Sequence, residues 1–321
     1  MSVLSVKKLV KIYPEKKSFF SRKITPAFVA VNGISFELKE GEILGFLGPN
    51  GAGKTTTIQM LLSILSPTSG EIQYFGKDFF THRSAILEKV GFASTYVKLP
   101  GNLTLYENLN MFGQLYGLSH SKRVASIERH LKYFGLWDLR HKKARMLSAG
   151  ESTRAMLSKA FLADPRVVLL DEPTAALDPD IAHDVRVFVR DQRDKEGVSF
   201  LFTSHNMAEV TELCDRVLVL QRGSIIANST PTQLAESVAH TTIELLVKDQ
   251  HHDACIAYLH EQNMAYTQEG AYIEIPIKEE DIAPFLHQLG IRNIVYASIS
   301  IEKPKLEDYF LQLSKKQRGI L

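Results

Sequence analysis

Hydrophobic and polar positions change rhythm several times along the chain. From Leu4 to Tyr13 and again from Val29 to Leu38 they alternate or cluster as in half-buried strands, and the polar, basic stretch from Glu15 to Pro26 between them reads as a hairpin loop. A short apolar run, Glu42 to Leu47, meets a glycine-rich segment. A helix-length stretch follows from Thr56 to Leu65 and stops before Ser66-Pro67-Thr68-Ser69-Gly70. Between about residues 104 and 164 the period turns helical, with Leu105, Leu109, Phe112, Leu115 and Tyr116 recurring three and four apart, which predicts a helical subdomain. Val167-Val168-Leu169-Leu170 and Val198 to Thr203 are continuous apolar runs, as expected of strands buried on both faces of a parallel sheet, with a helix, Ile181 to Asp194, between them.

After Gly223 the pattern changes. Strand-like Thr242 to Val247 precedes a helical Asp253 to Gln262, two short strands around Gly270, a helical Glu279 to Leu289 and a strand-like Ile294 to Ile301. That order, βαββαβ, is the ferredoxin-like signature, and a last helix from Lys305 to Lys315 follows it. The expected class is α/β in two domains. Residues 1–230 would form the larger one, with an N-terminal antiparallel β subdomain and the helical subdomain, and residues 231–321 a small α+β accessory domain.

Composition narrows the function less than the fold. A net charge of +2 is too mild to make nucleic acid the expected partner. The local basic groups, Arg140-His141-Lys142-Lys143 with Arg145 and Lys315-Lys316 with Arg318, read as solvated surface. Cys214 and Cys255 match neither a disulfide framework nor a zinc pattern, which suits a reducing compartment. No signal peptide opens the chain and nowhere do 18 apolar residues run together, so the expectation is a cytoplasmic protein that meets a membrane only through a partner.

The chemistry sits in short motifs. Gly48-Pro49-Asn50-Gly51-Ala52-Gly53-Lys54-Thr55 fits G-x-x-x-x-G-K-[ST] between a strand and a helix, which defines a P-loop NTPase (RecA-like) core. Phosphates need many donors at close range. The glycines let backbone N–H groups wrap them, Lys54 reaches the β and γ oxygens, Thr55 offers its hydroxyl to Mg²⁺, and Thr56 opens the helix behind. Asp171 and Glu172 close the buried run 167–170, where ligands bind in open α/β sheets; Asp171 suits Mg²⁺ through water and Glu172 suits a base acting on the attacking water.

With these in place the sequence resembles the ATP-binding subunit of ABC transporters, over about residues 4 to 228. Leu147-Ser148-Ala149-Gly150-Glu151 stands where that family has its signature, Ala175-Ala176-Leu177-Asp178 resembles its D-loop, and Thr203-Ser204-His205 resembles its switch histidine. The resemblance implies two subunits packed head to tail, with Ser148 and the N–H groups at Gly150 of one completing the ATP site of the other, Asp178 lying near it, and His205 beside Glu172 and the γ-phosphate. Ser148-x-x-Glu151 also has the form of a capping box, a purely local role that can coexist with the other. Tyr13 stands where the family keeps an aromatic on adenine; the bland alternative is a strand-end tyrosine packed on the core. The implied cofactors are ATP and Mg²⁺, and the implied partners a second copy and membrane permease subunits. Pro304 to Phe310 resembles the C-terminal helix of exporter-type subunits served by a separately encoded permease for drugs, lipids or polysaccharides.

Three positions depart from the family pattern: Ala149 replaces the second signature glycine, Glu151 its glutamine, and Thr95 the Q-loop glutamine that ligates Mg²⁺ and senses the permease. The segment Tyr96 to Glu107 resembles the permease-facing surface, or packs the helical subdomain. Two rival classes remain. A soluble ABC ATPase acting on ribosome or nucleic acid would carry two cassettes or a long coiled coil, whereas this chain has one P-loop and no heptad run. An ATP-binding regulatory module with little turnover is prompted by Thr95.

Overall fold

Strands that are apolar on both faces must be covered on both sides, and the strands of this kind lie together in one sheet. The computed structural model describes residues 1–17, 24–95, 97–175, 177–237 and 241–317. The chain divides into two compact units, Met1–Thr230 and Pro231–Leu321.

In the first unit β1 (Ser2–Tyr13), the short pair β2 (Lys16–Lys17) and β3 (Ile24–Thr25), and β4 (Phe28–Lys39) precede β5 (Ile43–Leu47) and α1 (Lys54–Leu61). Then come β6 (Ser69–Tyr74), β7 (Lys77–Asp78), α2 (Arg83–Leu87), β8 (Val90–Ser94), α3 (Leu105–Leu115), α4 (His120–Tyr133) and α5 (Ala149–Ala160). β9 (Val167–Asp171), α6 (Pro179–Glu196), β10 (Ser199–Thr203), α7 (Met207–Leu213), β11 (Arg216–Gln221) and β12 (Ser224–Ser229) complete it. The central sheet runs β12-β11-β5-β10-β9-β8, parallel apart from the edge strand β12, and β4-β1-β6-β7 form an antiparallel sheet. Leu4, Leu9, Ile34 and Leu38 of the second sheet share a core with Leu44, Phe46 and Leu169 of the first. The stretch 15–26 is the loop between β1 and β4, and its residues 18–23 lie outside the described ones, as does Arg318 of the C-terminal basic group.

The helical expectation for 104–164 resolves into α3, α4 and α5. Thr104 and Glu107 cap α3 reciprocally. α5 is pressed against β8: a Cβ on Gly91 would stand 2.4 Å from the Ala160 carbonyl oxygen, so only glycine allows this approach. Beside it Lys159 Nζ donates to the Phe92 carbonyl at 3.1 Å and lies over the rings of Phe92 and Phe112, at 5.8 and 5.4 Å from their centroids. Phe161 meets Phe188 of α6 edge to face at 4.7 Å, tying the helices to the sheet.

Two helix ends differ from the sequence reading by four residues. α1 stops at Leu61 rather than Leu65, because Ser63 turns left-handed at φ 57 and breaks the helical ladder. In the second unit, the polar run Asp249-Gln250-His251-His252 forms a first turn of α9 (Asp249–Glu261) ahead of Asp253.

That unit contains α8 (Pro231–Glu236), β13 (Thr241–Val247), α9 (Asp249–Glu261), β14 (Thr267–Glu269), β15 (Tyr272–Ile277), α10 (Ile282–Ile291), β16 (Tyr296–Glu302) and α11 (Leu306–Gln317). Its antiparallel sheet, β14-β15-β13-β16, carries Ile243, Leu245, Ile273 and Ile275 into a core with Cys255, Leu259, Phe285 and Leu289.

Candidate functional site

The site grows from three strand ends at one sheet edge. β5 leads into the glycine segment, and on its other side β10 and β9 finish side by side, with Thr203 paired to Asp171 and Ser94 of β8 paired to Asp171 from the far side. Gly48 and Gly53 are forced choices. At φ 148 and 104 their added Cβ atoms would meet the carbonyl oxygens of Leu220 at 2.2 Å and Ala30 at 2.5 Å. Gly53 is the N-cap of α1, so the positive end of that helix faces the loop.

Lys54 is buried, and its ammonium donates to the carbonyls of Gly48 and, at 3.3 Å, Pro49. Burial holds its pKa below the ordinary lysine value, while the carboxylates of Glu172 and Asp171 pull it upward. A cavity of about 230 Å³ is lined by Asn50, Gly51, Ala52, Gly53, Lys54, Thr55, Thr56, Asp171, Glu172 and His205, with Phe28 and Ala30 on its outer side. Its donors and acceptors fit a polyphosphate: backbone N–H groups and an ammonium on one wall, oxygen ligands and a base on the other.

Asp171 and Glu172 are both buried. Asp171 Oδ1 accepts the Thr203 hydroxyl at 2.8 Å and Oδ2 the Ser94 hydroxyl at 3.4 Å. Glu172 sits at φ 54, a left-handed conformation uncommon outside glycine, and its N–H donates to Thr203 Oγ1 at 3.0 Å. Its Oε1 lies 2.5 Å from His205 Nε2, and the imidazole is more than half exposed toward the cavity mouth. A second polar link ties the same two turns. Glu209 Oε2 accepts the hydroxyls of Thr174 at 2.7 Å and Ser204 at 2.9 Å, and Arg186 approaches its other oxygen at 3.3 Å.

Ser148 stands apart from this cavity. It is the exposed N-cap of α5, and the reciprocal capping box is formed: Glu151 N–H donates to Ser148 Oγ at 3.2 Å and Ser148 N–H to Glu151 Oε2 at 2.8 Å. Lys142 also bonds Glu151 Oε2 at 2.9 Å, and these bonds hold the carboxyl below its usual range. Ser148 lines a different cavity, of about 510 Å³, with Thr95, Leu99, Ala149, Ser152 and Met156. Thr95 thus borders the cavity of Ser148 rather than that of Lys54 and Glu172.

Other expected positions are also outside the phosphate cavity. Gly48 and Pro49 do not line it, and their carbonyls accept from the Lys54 ammonium. Gly150 lies in the first turn of α5, and Asp178 is the exposed N-cap of α6 with no capping bond from its side chain. Ala176, within the D-loop resemblance, and Tyr96 lie outside the described residues. Tyr13 ends β1 directly opposite Phe28 of β4, under the Lys11 ammonium at 5.5 Å. Phe28, which lines the cavity, carries no motif in the sequence, and neither do Ser94 and Glu209; Thr203 enters the sequence reading only as the residue ahead of Ser204-His205. The one signal for Phe28 is its place at the start of the strand that pairs with β1.

Comparison with known proteins gives the geometry a lineage. The family described as "ABC transporter" matches residues 31–175. The linearmycin resistance ATP-binding protein LnrL of Bacillus subtilis (strain 168) is 31% identical over 292 residues, covering 88% of this chain and 93% of that one. The Nod factor export ATP-binding protein I of Burkholderia lata is 37% identical over 209 residues, 65% of this chain and 68% of the relative. Among solved structures, an ATP-binding subunit of an ABC transporter superposes with a TM-score of 0.64 at 24% identity over 74% of this chain and 93% of the other, a likeness of fold. A relative 31% identical along nearly its whole length, with the family match beside it, means that the chain belongs to the ATP-binding subunits of ABC transporters, the ATPase component of that family.

Proposed function

We propose that this chain binds ATP with Mg²⁺ between Lys54 and Glu172, closes as a homodimer over two nucleotides, and passes the cycle to a separate membrane permease that exports its substrate. The observation that carries the reading is the meeting of Glu172 and His205 at 2.5 Å on the wall facing Lys54 and Thr55.

In this reading the Gly51 to Lys54 backbone and the Lys54 ammonium bind the β and γ phosphates, and the carbonyls of Gly48 and Pro49 hand the ammonium over as the phosphates enter. Glu172 Oε1 takes the proton of the attacking water, and His205 Nε2 orients that carboxylate and reaches the γ-phosphate. The hydroxyl of Thr55 and the carboxylate of Asp171 form an all-oxygen donor set, which fits Mg²⁺, and Asp171 is already aimed by two hydroxyls. When bound, Mg²⁺ supplies charge neutralisation on the β and γ oxygens. Phe28 and Tyr13, paired across β1 and β4, offer ring faces to adenine.

The dimer reading is supported by the separation of Ser148 from the phosphate cavity. Ser148 is exposed at the positive end of α5, and the two cavities share no lining residue, so a partner's nucleotide is the natural anion for it. Gly150 and Asp178 belong to the same partner-facing set. No helix among the described residues is long and apolar enough to cross a membrane, so transport requires permease subunits at the membrane surface. Export is supported by relatives named for Nod factor export and for linearmycin resistance.

The test is Glu172→Gln in the full chain. Expected are ATP binding near that of the parent, phosphate release reduced by at least about 100-fold, and an ATP-dependent dimer on size exclusion. Phosphate release at the parent rate would remove Glu172 from the chemistry.

A further inference from the structure

Thr203 is the last residue of β10 and is fully buried. Its ladder partner is Asp171, and Asp171's partner on the other side is Ser94, so one row across three strands reads Ser94, Asp171, Thr203. A hydroxyl has one hydrogen to give and two lone pairs to accept with. Here the hydrogen goes to Asp171 Oδ1 at 2.8 Å, and a lone pair takes the Glu172 N–H at 3.0 Å. One buried oxygen is therefore tied to the carboxylate of one residue and to the backbone of the next, and that next residue is the one held at φ 54.

We propose that Thr203 is a positioning residue for hydrolysis, whose hydroxyl aims the Asp171 carboxylate and fixes the left-handed turn that brings Glu172 to His205. The inference rests on the roles proposed above for Asp171 and Glu172. Shape alone does not explain the side chain. Valine has the same outline and would suit the apolar sheet, but it would leave the Glu172 N–H with only the Thr203 main-chain carbonyl, at 3.2 Å, and a buried carboxylate oxygen without its hydroxyl donor. Ser94 cannot replace the bond, because it reaches the other carboxylate oxygen and at a longer 3.4 Å. Groups that orient a metal-binding carboxylate affect metal affinity and turnover without touching the substrate.

The experiment compares the parent full-length chain with Thr203→Val, Thr203→Cys, Thr203→Ser and Glu172→Gln. Steady-state phosphate release gives kcat and KM. Calorimetric titration gives ATP affinity without Mg²⁺ and then the affinity of the ATP-loaded protein for Mg²⁺, and thermal melting reports folding. For Thr203→Val the expectation is a 10- to 100-fold fall in kcat and a weaker Mg²⁺ affinity, with Mg²⁺-free ATP affinity within about twofold of the parent. Thr203→Ser, which keeps the hydroxyl, should stay within about threefold in kcat, and Thr203→Cys, which matches the serine variant in outline but carries only a weak donor, should fall between Ser and Val. If Thr203→Val does not fold, the Cys and Ser pair decides. Parent-like kcat and Mg²⁺ affinity in the Val or Cys variant, or an equal loss in Ser, overturns the proposal. Should Glu172→Gln turn over at the parent rate, it is the underlying reading of the site that fails instead.

Discussion

His205 Nε2 and Glu172 Oε1 lie 2.5 Å apart although the two residues follow different strands, β10 and β9. The contact depends on two turns held in register, which Thr203 and Glu209 do from opposite sides. His205→Ala should leave ATP binding close to the parent and lower kcat by roughly 100-fold, the scale of one positioned proton-handling group. Single-turnover phosphate release measures it, and an unchanged rate would count against a role for the imidazole.

The two roles of Ser148 can be separated. Aspartate is as good an N-cap as serine, so Ser148→Asp should preserve α5 and change stability by less than about 0.5 kcal/mol. The added negative charge would face a partner's γ-phosphate, and the ATP-dependent dimer should be lost on size exclusion. A variant that still dimerises with ATP would leave the capping box as the only role of this residue.

Glu209 is a buried carboxylate that serves two hydroxyls and a guanidinium. Removing it in Glu209→Ala leaves Thr174 and Ser204 without their acceptor, while Arg186 keeps Glu212 at 2.8 Å. The loss should be about 2 kcal/mol or more in urea unfolding, with kcat reduced because the Glu172 and His205 turns are no longer tied. Equal stability of parent and variant would show the link to be slack.

Lys159 gives a pH test. Burial lowers its pKa from 10.5 to about 8, so the folded protein prefers the neutral amine, at a cost of ~3 kcal/mol while the amine is charged. The Phe92 carbonyl and the two ring faces offset part of this. Between about pH 8 and 10.5 the unfolded chain binds more protons than the folded one, so this contribution to stability rises with pH. Lys159→Met should therefore be more stable than the parent at pH 7 by about 1–3 kcal/mol. That gain should shrink as pH rises through the same window. Urea midpoints at pH 7 and pH 10 decide it; a constant difference would contradict the burial argument.

Much of the site is legible in the sequence because it is contiguous: the glycine loop and Asp171-Glu172 each suggest their chemistry within a few residues, while His205 enters through the resemblance of Thr203-Ser204-His205 to a family motif. What stays hidden depends on neighbours remote in sequence. Phe28 enters only through the register of β1 with β4, which is interrupted by several irregularities. Thr203 ends an apolar strand, and its bonds to Asp171 and Glu172 follow from strand order, which periodicity does not state. Glu209 and Lys159 carry no motif in the sequence, and only packing reveals that both are buried. The early end of α1 is not written in Leu62-Ser63-Ile64, where nothing forbids helix; the left-handed Ser63 is imposed by the fold around it.

The close seat of Gly91 under Ala160 makes α5 a mechanical part as well as a packed one. At 12 residues it is a rod about 18 Å long, exposed at Ser148 and held near its far end to β8 by Gly91 and Lys159. The strand that seats it ends in Ser94, whose hydroxyl reaches Asp171 at 3.4 Å. One packed path of two elements thus joins the exposed tip of α5 to the buried carboxylate.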